Sequence, residues 1–347
     1  MVITVPDYFH DFHCLAGSCP DTCCGQWEIV VDEAAKARYL SVEGDLGRRI
    51  RAALTTRDGE DVMVLENGKC PLLTEDGLCE IVLQKGEYFL SETCHTHPRF
   101  TEIYGNLQEA MLSISCPEAA RLLLTREKPL SFVTARNDAP PEPTDLEPEL
   151  FVALSQGRDT AMAILQRRSL PLSDRLALFL EFAHRLERLT DDGRYFAAQG
   201  LSHRYRDEGY CLRRLARLRR KRRGGDFAPL KALLLSMEHL SADTPAIFAA
   251  LEAPVLEGDE VPLEQLAVYL LFRWWRKASC DGYLWRQAGA IAAGVLTVAA
   301  LTPLCGSILE AARRFSKEVE HSEENRAALT HAMDGADFSL SALLSLL

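Results

Sequence analysis

The sequence predicts an α+β protein that is mostly α-helical, with a small mixed cysteine-rich domain followed by an all-helical domain. Eight of the eleven cysteines fall within residues 14–116. Five prolines then interrupt residues 129–148, a composition typical of a linker without regular structure. Beyond it, apolar residues recur with the helical period of about 3.6 residues. These observations divide the 347 residues into a cysteine-rich domain (1–128), a proline-rich linker (129–148) and a helical domain (149–347).

Strand and helix signals alternate in the first domain. Two apolar, β-branched runs predict short strands, and an aspartate follows the first run at the position of a helix cap. A Gly-Asn pair predicts a hairpin turn, and a proline suits the first position of a later helix. The predicted elements are strands at 27–31 and 62–65, a helix at 33–40 capped by Asp32, hairpin strands at 100–104 and 107–114, and a helix at 117–124 opened by Pro117.

Helical periodicity continues through the second domain, where Ser173 is predicted to cap a helix. Residues 288–309 are uncharged and long enough to span a bilayer, but they are rich in Ala, Gly and Thr and include Pro303. We therefore expect this segment to be a helix buried in a soluble domain. Further helices are predicted near residues 203–222, 226–240, 262–279, 284–301, 305–321 and 337–346.

The net charge of −11 argues against a general nucleic-acid binder, because phosphate binding favours a basic surface. Residues 204–223 nevertheless contain ten Lys or Arg residues. This run either docks an acidic surface or nucleic acid, or forms the charged outer face of a helix. The first residues lack the basic start and long apolar run of a secretory signal, so we expect a cytoplasmic protein with reduced cysteines.

Reduced cysteines in this number indicate metal ligands or catalytic thiols before disulfides. Thiolates select zinc or iron–sulfur clusters, and four ligands close one site. No pair has the two-residue spacing of zinc ribbons, whereas loosely spaced ligands from several loops suit a cluster, which is larger than one ion. The candidate ligands are Cys14, Cys19, Cys23, Cys24, Cys70, Cys79, Cys94 and Cys116.

Three histidines lie close to these cysteines in the sequence. A histidine can replace a thiolate as a metal ligand, or it can be a polar loop residue. The three are His13, His95 and His97. The remaining cysteines fall within apolar helical stretches, so we expect core positions for Cys211, Cys280 and Cys305.

Six blocks of the sequence carry specific motifs. Four contain the candidate ligands (residues 14–27, 70–81, 90–99 and 113–121), and two lie in the helical domain (269–283 and 318–325). Together they resemble the flagellin lysine N-methylases, the FliB family. The cysteine blocks also share the general pattern of CxxCxxCC-type cysteine-cluster proteins, whereas the two later blocks favour the methylases.

The resemblance implies a reaction, which is the transfer of a methyl group from S-adenosylmethionine to lysine side chains of flagellin. It also implies an iron–sulfur centre, for which we expect a 4Fe–4S cluster, with zinc as the alternative metal. Flagellin is then the expected protein partner, and neither a membrane nor nucleic acid is expected to be one.

Methyl transfer to an amine requires that the lysine first lose its proton, and the free pKa of that group is about 10.4. A desolvated channel or a nearby base can remove the proton. The catalytic candidates within the family-like blocks are Asp281, Tyr283, Glu320 and His321. A solvated helix face is the alternative interpretation of Glu318, Glu320, Glu323 and Glu324.

The methyl-donor site has no signature of its own. No Gly-x-Gly-x-x-Gly follows a predicted strand, and Gly224-Gly225 is typical of a turn that ends a helix. A donor would therefore bind outside a Rossmann-type domain. The alternatives to a methyltransferase are a non-catalytic cysteine-cluster module that stores or senses metal, and a redox protein whose cluster transfers electrons.

Overall fold

A computed structural model describes residues 1–25, 29–222, 224–256 and 258–347 of the chain. Every strand in these ranges lies before residue 137, and the described residues after 147 form helices joined by irregular connections. The predicted α+β fold class, mostly helical, is therefore confirmed.

The strands of the described residues form two sheets. A four-stranded sheet has the order β5-β6-β1-β7, in which β1 runs parallel to β6 and antiparallel to β7. A three-stranded antiparallel sheet has the order β2-β4-β3. The strands are β1 (Val2–Pro6), β2 (Ile29–Val30), β3 (Leu54–Arg57), β4 (Glu60–Met63), β5 (Arg99–Tyr104), β6 (Leu107–Leu112) and β7 (Phe132–Arg136).

Short helices surround the first strands, and longer helices follow them. The helices are α1 (Glu33–Leu40), α2 (Gly44–Ala53), α3 (Glu80–Lys85), α4 (Glu92–Thr96), α5 (Pro117–Leu124), α6 (Pro148–Leu165), α7 (Leu172–Asp191), α8 (Tyr195–Arg206), α9 (Glu208–Leu218), α10 (Ala228–Ser236), α11 (Thr244–Ala249), α12 (Val261–Trp274), α13 (Ala278–Asp281), α14 (Leu284–Cys305), α15 (Ile308–Phe315), α16 (Glu323–Ala332) and α17 (Leu340–Ser345). A π-helical segment, Ser316–Glu320, continues α15.

Local signals in the first domain predicted its elements well. Asp32 caps α1 by accepting a hydrogen bond from the Ala35 amide at 2.9 Å. The β5–β6 hairpin turns at Gly105, whose φ of +62° suits glycine, and α5 begins at Pro117. Of the predicted strand at 27–31, residues 27 and 28 lie outside the described residues and 29–30 form β2. The strand predicted at 62–65 spans 60–63 instead.

The predicted linker contains a strand. In β7, Ala135 pairs with Ile3 of β1, and the two strands lie about 130 residues apart in the chain. Phe132 also stacks on Phe272, with ring centroids 4.1 Å apart. The prediction of no regular structure in residues 129–148 is therefore wrong for residues 132–136, where an apolar, β-branched run lies between the prolines. The domain boundary itself stays a prediction.

Two helix predictions in the second domain were wrong in their boundaries. Ser173 lies inside α7, which begins at Leu172 after Pro171. The helix predicted at 203–222 is two helices, because Asp207 separates α8 from α9. The Asp207 side chain caps α9 by accepting a hydrogen bond from the Tyr210 amide at 2.6 Å.

The long apolar helix α14 is largely buried. It is long and apolar enough to cross a membrane, but 78% of its most apolar stretch is buried inside the protein. A Cβ added at Gly294 would lie 2.9 Å from the Phe315 ring, so glycine permits this close packing. The prediction of a buried helix at 288–309 is confirmed for residues 288–301 only. Residues 302–309 are half-buried or exposed, and the helix ends at Cys305, where Gly306 adopts φ +76°.

Part of the basic run at 204–223 forms internal ion pairs. Arg214 pairs with Glu181, and Arg219 and Arg222 pair with Asp174. Both carboxylates are buried on α7. These three arginines therefore fasten the segment to the protein, which favours the interpretation as an outer helix face; Arg223 lies outside the described residues.

The hydrophobic core is divided unequally. One large cluster runs from β6 through α5, α7 and α12 to α14, so the four-stranded sheet packs with the helices. We name the four-stranded sheet and the helices from α5 onward the helical body. A second cluster of eleven buried residues lies among β2, β4 and α1–α3. We name residues 29–96, which contain this second cluster, the small unit.

Candidate functional site

The eight candidate cysteine ligands are free thiols that gather in two neighbouring sets. The thiol of Cys24 interacts electrostatically with those of Cys70 and Cys94, and Cys94 interacts also with Cys79. In the second set, Cys116 interacts with Cys14 and Cys19, and Cys19 also with Cys23. Cys23 links the two sets, because its thiol also interacts with those of Cys24 and Cys94. We name Cys24, Cys70, Cys79 and Cys94 the inner thiols, and Cys14, Cys19, Cys23 and Cys116 the outer thiols.

Tight backbone contacts bring the cysteine loops together. The Cys70 amide donates to the Cys24 carbonyl at 2.7 Å, and Gly25 pairs with Lys69 in an isolated bridge. A Cβ at Gly25 would lie 2.4 Å from the Gly68 carbonyl oxygen, so the loops approach this closely only because the residue is glycine. The inner thiols other than Cys24 pack against the core of the small unit, and Cys116 packs against the core of the helical body.

The environment of the thiols changes their acidity. Burial raises the pKa of Cys94 to about 11. A hydrogen bond between the adjacent thiols of Cys23 and Cys24 lowers the pKa of Cys23 to about 7 and raises the pKa of Cys24. Within the described ranges, no group of three or more His, Cys, Asp or Glu side chains has the geometry of a site for a single metal ion.

The other cysteine and histidine candidates have varied environments. Cys211 is buried as expected, and its thiol lies 3.0 Å from the Tyr205 carbonyl oxygen. Cys305 is half-buried against the core, whereas Cys280 is exposed, which corrects the prediction of a core position. Cys280 belongs to α13, a single helical turn at the surface before Gly282. His13 and His95 are exposed, and His97 lines a cleft.

Glu320 lies at the centre of a buried polar group. Its carboxylate oxygens are each 3.2 Å from the Tyr269 hydroxyl, and one is 3.4 Å from the Arg273 guanidinium. Tyr269 and Arg273 are one turn apart on α12, and Glu320 ends the π-helical segment. Burial raises the pKa of Glu320, although Arg273 opposes this shift. π-helical turns are frequent at functional sites.

The interpretation of the nearby glutamates as a solvated face is wrong for two of the four. Glu318 and Glu320 are buried, and only Glu323 and Glu324 are exposed. The Glu318 carboxylate accepts hydrogen bonds from the Leu240 and Ser241 amides and from the Thr244 hydroxyl. Glu318 thus fastens the connection between α10 and α11 and the start of α11, while Glu320 points into the polar group.

His321 follows Glu320 and joins the two halves of the chain. Its Nε2 lies 2.9 Å from the Ser113 hydroxyl and 2.8 Å from the Ser115 hydroxyl. Its ring centroid lies 5.2 Å from that of Phe100 and 6.1 Å from that of His97. Burial lowers the pKa of His321 to about 3 and that of His97 to about 4. Both imidazoles are therefore neutral near pH 7.

A cleft of about 260 Å³ opens beside these rings. It lies between the small unit, which contributes α4, and the helical body, which contributes β5 and His321. The Arg273 guanidinium lies 3.5 Å from the centroid of the Phe100 ring and so connects the cleft to the Glu320 group. The residues that line the cleft are Thr93, Thr96, His97, Pro98, Arg99, Phe100 and His321.

Asp21 connects the cysteine loop to the same region. It lies between Cys19 and Cys23, and its carboxylate pairs with Lys317 of the π-helical segment and with Arg313 of α15. Burial opposes the charge, but the hydrogen bonds from Lys317 and the Thr22 amide hold the pKa of Asp21 below its usual value. Asp21 therefore joins the loop that contains Cys19 and Cys23 to the segment that ends in Glu320.

The other two catalytic candidates lie at the surface. Asp281 accepts hydrogen bonds from the Tyr283 amide at 2.9 Å and the Gln287 side chain at 3.0 Å, which places it beside the start of α14. Tyr283 is 47% exposed, and the Arg286 guanidinium lies 3.6 Å from its ring centroid. Of the four catalytic candidates, Glu320 and His321 therefore lie in the interior. Asp281 and Tyr283 lie at the surface, beside the start of α14.

Sequence reasoning missed several residues of this site. Tyr269 and Arg273 fall within one of the family-like blocks, and Ser113 and Ser115 fall within another. The sequence alone did not indicate a catalytic or structural role for these four residues. Polar side chains four residues apart on an otherwise apolar helix are a signal that could have identified the first pair.

Gly225, in the segment predicted as a helix-ending turn, permits close packing. Its amide donates to the Ser345 carbonyl at 2.9 Å, and a Cβ there would lie 2.4 Å from the Ser345 hydroxyl oxygen. The glycine therefore permits close contact with the end of α17, in agreement with the prediction of a turn.

Comparison with known proteins identifies relatives of the chain. Residues 158–240 match the model of the FliB lysine N-methylase C-terminal domain, in a region outside the six quoted blocks. The flagellar biosynthetic protein FliU of Salmonella muenchen is 31% identical over 131 residues, which are 36% of this chain and 78% of that protein. Lysine-N-methylases of Salmonella choleraesuis and Salmonella typhimurium are equally similar, but the chain spans only 33% of their length. No solved structure matches the chain.

Proposed function

The chain belongs to the FliB lysine N-methylase family, and from this premise we propose that it transfers a methyl group from S-adenosylmethionine to lysine side chains of flagellin. The homology to two lysine-N-methylases supports a protein-lysine N-methyltransferase. The likeness to FliU, a flagellar biosynthetic protein, supports a flagellar substrate. The observation that carries the proposal is the likeness to FliU, which extends over 78% of that protein.

The reaction places clear demands on the site. A neutral amine nitrogen forms a bond to the methyl carbon while the bond between methyl carbon and sulfonium sulfur breaks. The sulfonium becomes a neutral thioether, and the methylated amine carries the positive charge until it loses a proton to water. The site must therefore receive a lysine without its proton and exclude competing water. The cleft beside His321 and the adjoining buried group of Glu320 and Arg273 offer such surroundings.

We also propose that the cysteines hold an iron–sulfur cluster, of the 4Fe–4S kind. The chemistry of the donor set supports it: the inner thiols supply four sulfurs from separate loops, and these thiols interact electrostatically with one another. A cluster has several metal atoms and accepts more widely spaced ligands than one ion does. Bound there, it would join the loops of the small unit.

The methyl donor and the cellular location complete the proposal. S-adenosylmethionine is the donor proposed from the family, at a site outside any Rossmann-type domain. The reaction is proposed to take place in the cytoplasm, where cysteines stay reduced. The outer thiols form a second set of four. The number of iron atoms bound per protein chain would show whether one set or both sets hold a cluster.

The test is a methylation assay with the full chain. Protein purified without oxygen is incubated with flagellin and S-adenosylmethionine, and the flagellin is analysed by mass spectrometry. We expect methylated lysines only when donor and protein are both present. Iron and sulfide are measured on the same sample. Protein with its full iron content that leaves flagellin unmodified would overturn the methylase proposal and favour a metal-binding or electron-transfer module.

A further inference from the structure

We propose that the cleft between α4, β5 and His321 is the pocket that receives the acceptor lysine side chain of the protein substrate. This inference rests on the proposed function and adds to it the site of the acceptor. Three observations carry it, which are the size of the cleft, the chemistry of its walls and the charges around it.

The cleft has the size of a side chain. Its volume is about 260 Å³, and it opens to the surface between the small unit and the helical body. Pockets for drug-sized molecules span about 300–1,000 Å³, so the volume of this cleft lies just below that range. A single extended side chain on a protein substrate can enter it from the surface.

The walls suit a chain of methylene groups that ends in an amine. Phe100, Pro98 and the methyl groups of Thr93 and Thr96 offer apolar contact. The imidazole rings of His97 and His321 provide polar atoms beside them. The Ser113 and Ser115 hydroxyls hold Nε2 of His321 at 2.9 and 2.8 Å, so this ring is fixed in place before any substrate arrives.

The charges around the cleft favour the neutral form of an incoming amine. Arg99 lines the cleft, and the Arg273 guanidinium stacks on Phe100. Lys317 acts on both histidines, which stay neutral in these surroundings. Glu320 and Asp21 partly offset these cations. Cationic neighbours and burial both lower the pKa of a lysine ammonium, which releases its proton to water and leaves the lone pair for attack.

The experiment compares two threonine substitutions in the full chain. Thr96→Trp adds a large ring to the cleft wall from an exposed position, so the fold is expected to tolerate it. Thr101→Trp is the matched control, because Thr101 is exposed on β5 but does not line the cleft. We expect Thr96→Trp to lower kcat/KM for flagellin on the order of a hundredfold, with unchanged iron content and donor affinity. We expect the kcat/KM of Thr101→Trp for flagellin to stay within about twofold of the value for the original protein.

A second measurement does not depend on activity. A simple alkylamine such as n-butylamine, added at alkaline pH, should shift the imidazole NMR signals of His97 and His321. Thr96→Trp should abolish the shift, and Thr101→Trp should preserve it. Equal flagellin kinetics for the two variants, or no histidine response to the amine, overturns the acceptor pocket. The methylase proposal survives that outcome if flagellin is still methylated, so the two failures are distinguishable.

Discussion

The small unit and the helical body are stabilised in different ways. The core cluster of the small unit has eleven buried hydrophobic residues, and ion pairs of this unit such as Arg49–Glu80 have partly exposed partners. The helical body has a core that extends through most of its helices, and its ion pairs include Arg175–Glu264, with side chains 2% and 0% exposed. The contrast indicates that the helical body folds on its own core, whereas the small unit depends on further cross-links.

The cysteines are the residues that can supply such cross-links. A core of this size is marginal for an independent unit, and metal binding then contributes folding free energy. Three of the inner thiols pack on that small core, whereas Cys116 alone of the outer thiols packs on the large one. The difference between the two regions therefore predicts that each responds to a different kind of substitution.

The largest effect is expected from Cys79→Ser. Cys79 packs against the core of the small unit and belongs to the inner thiols, so its loss should release the metal and unfold residues 29–96. The helical body should keep its fold. Iron content, limited proteolysis and flagellin methylation are measured together on the variant.

The control for this prediction is Cys280→Ser. Cys280 is exposed and lies outside both thiol sets, so iron, fold and activity should be unchanged. A Cys79 variant with a compact, protease-resistant small unit but without iron or activity would contradict a structural role for the cluster. A chemical role would then be favoured.

The second effect concerns the helical body. Glu109→Gln should lower its free energy of unfolding by about 3–5 kcal/mol, because it leaves two buried arginines without their carboxylate. Arg158 and Arg276 both donate to Glu109 at 2.6 Å. Denaturant unfolding followed by the fluorescence of the buried tryptophans measures the change.

The matched substitution in the small unit is Glu80→Gln. It breaks the pair with Arg49, whose side chain is 40% exposed, and should cost only about 0–1 kcal/mol. Similar losses for the two variants would show that ion pairs do not distinguish the two regions.

The third effect concerns the contact between the cysteine loop and the helical body. Asp21→Asn removes the charge that faces Lys317 and Arg313, so we expect a loss of about 1.5–3 kcal/mol in loop docking. Methylation should fall and proteolysis within residues 14–24 should rise, while the iron content stays the same. Asp11→Asn, at an exposed position before the loop, is the control. Loss of iron instead would assign Asp21 to the metal site and not to docking.

Elements with local signals were predictable from the sequence, and those formed by distant contacts were not. The Asp32 cap, the Gly105 turn and the start of α5 at Pro117 each depend on a few neighbouring residues. The strand β7 has a short apolar, β-branched run, but its formation depends on pairing with β1 about 130 residues away, and the surrounding prolines predicted a linker instead.

The same distinction applies to the candidate site. Chemistry and spacing identified the eight cysteines as candidates, but their division into inner and outer thiols depends on how separate loops meet. Glu320 and His321 were candidates because of a family-like block. Their partners Tyr269 and Ser113 lie 51 and 208 residues away, and only the folded chain brings them together. Asp281 and Tyr283 belonged to an equally convincing block, yet they lie at a helix start on the surface.

The smallest expected effect on stability concerns the helix caps, and we compare one cap in each region. Asp32 accepts hydrogen bonds from the Ala35 amide of α1 at 2.9 Å and from the Glu92 amide of α4 at 2.7 Å. It therefore joins two helices of the small unit. Ser307 of the helical body accepts one, from the Glu310 amide at 3.2 Å. Replacement of a capping residue by alanine lowers the free energy of unfolding by about 0.5–2 kcal/mol. We expect the loss for Asp32→Ala to lie near the upper limit of this range and the loss for Ser307→Ala near the lower limit.

The pH dependence separates the two caps further. Backbone hydrogen bonds from Glu92 and Ala35 hold the pKa of Asp32 below its usual value. The stability from this carboxylate is therefore present above the unfolded-state pKa of about 3.9 and is lost as the pH falls through the folded value. Unfolding of the two alanine variants and the original protein, measured between neutral and acid pH, tests this. The deficit of Asp32→Ala should shrink in acid and that of Ser307→Ala should stay constant, because a hydroxyl does not titrate; a constant deficit for Asp32→Ala would show that its charge does not stabilise the small unit.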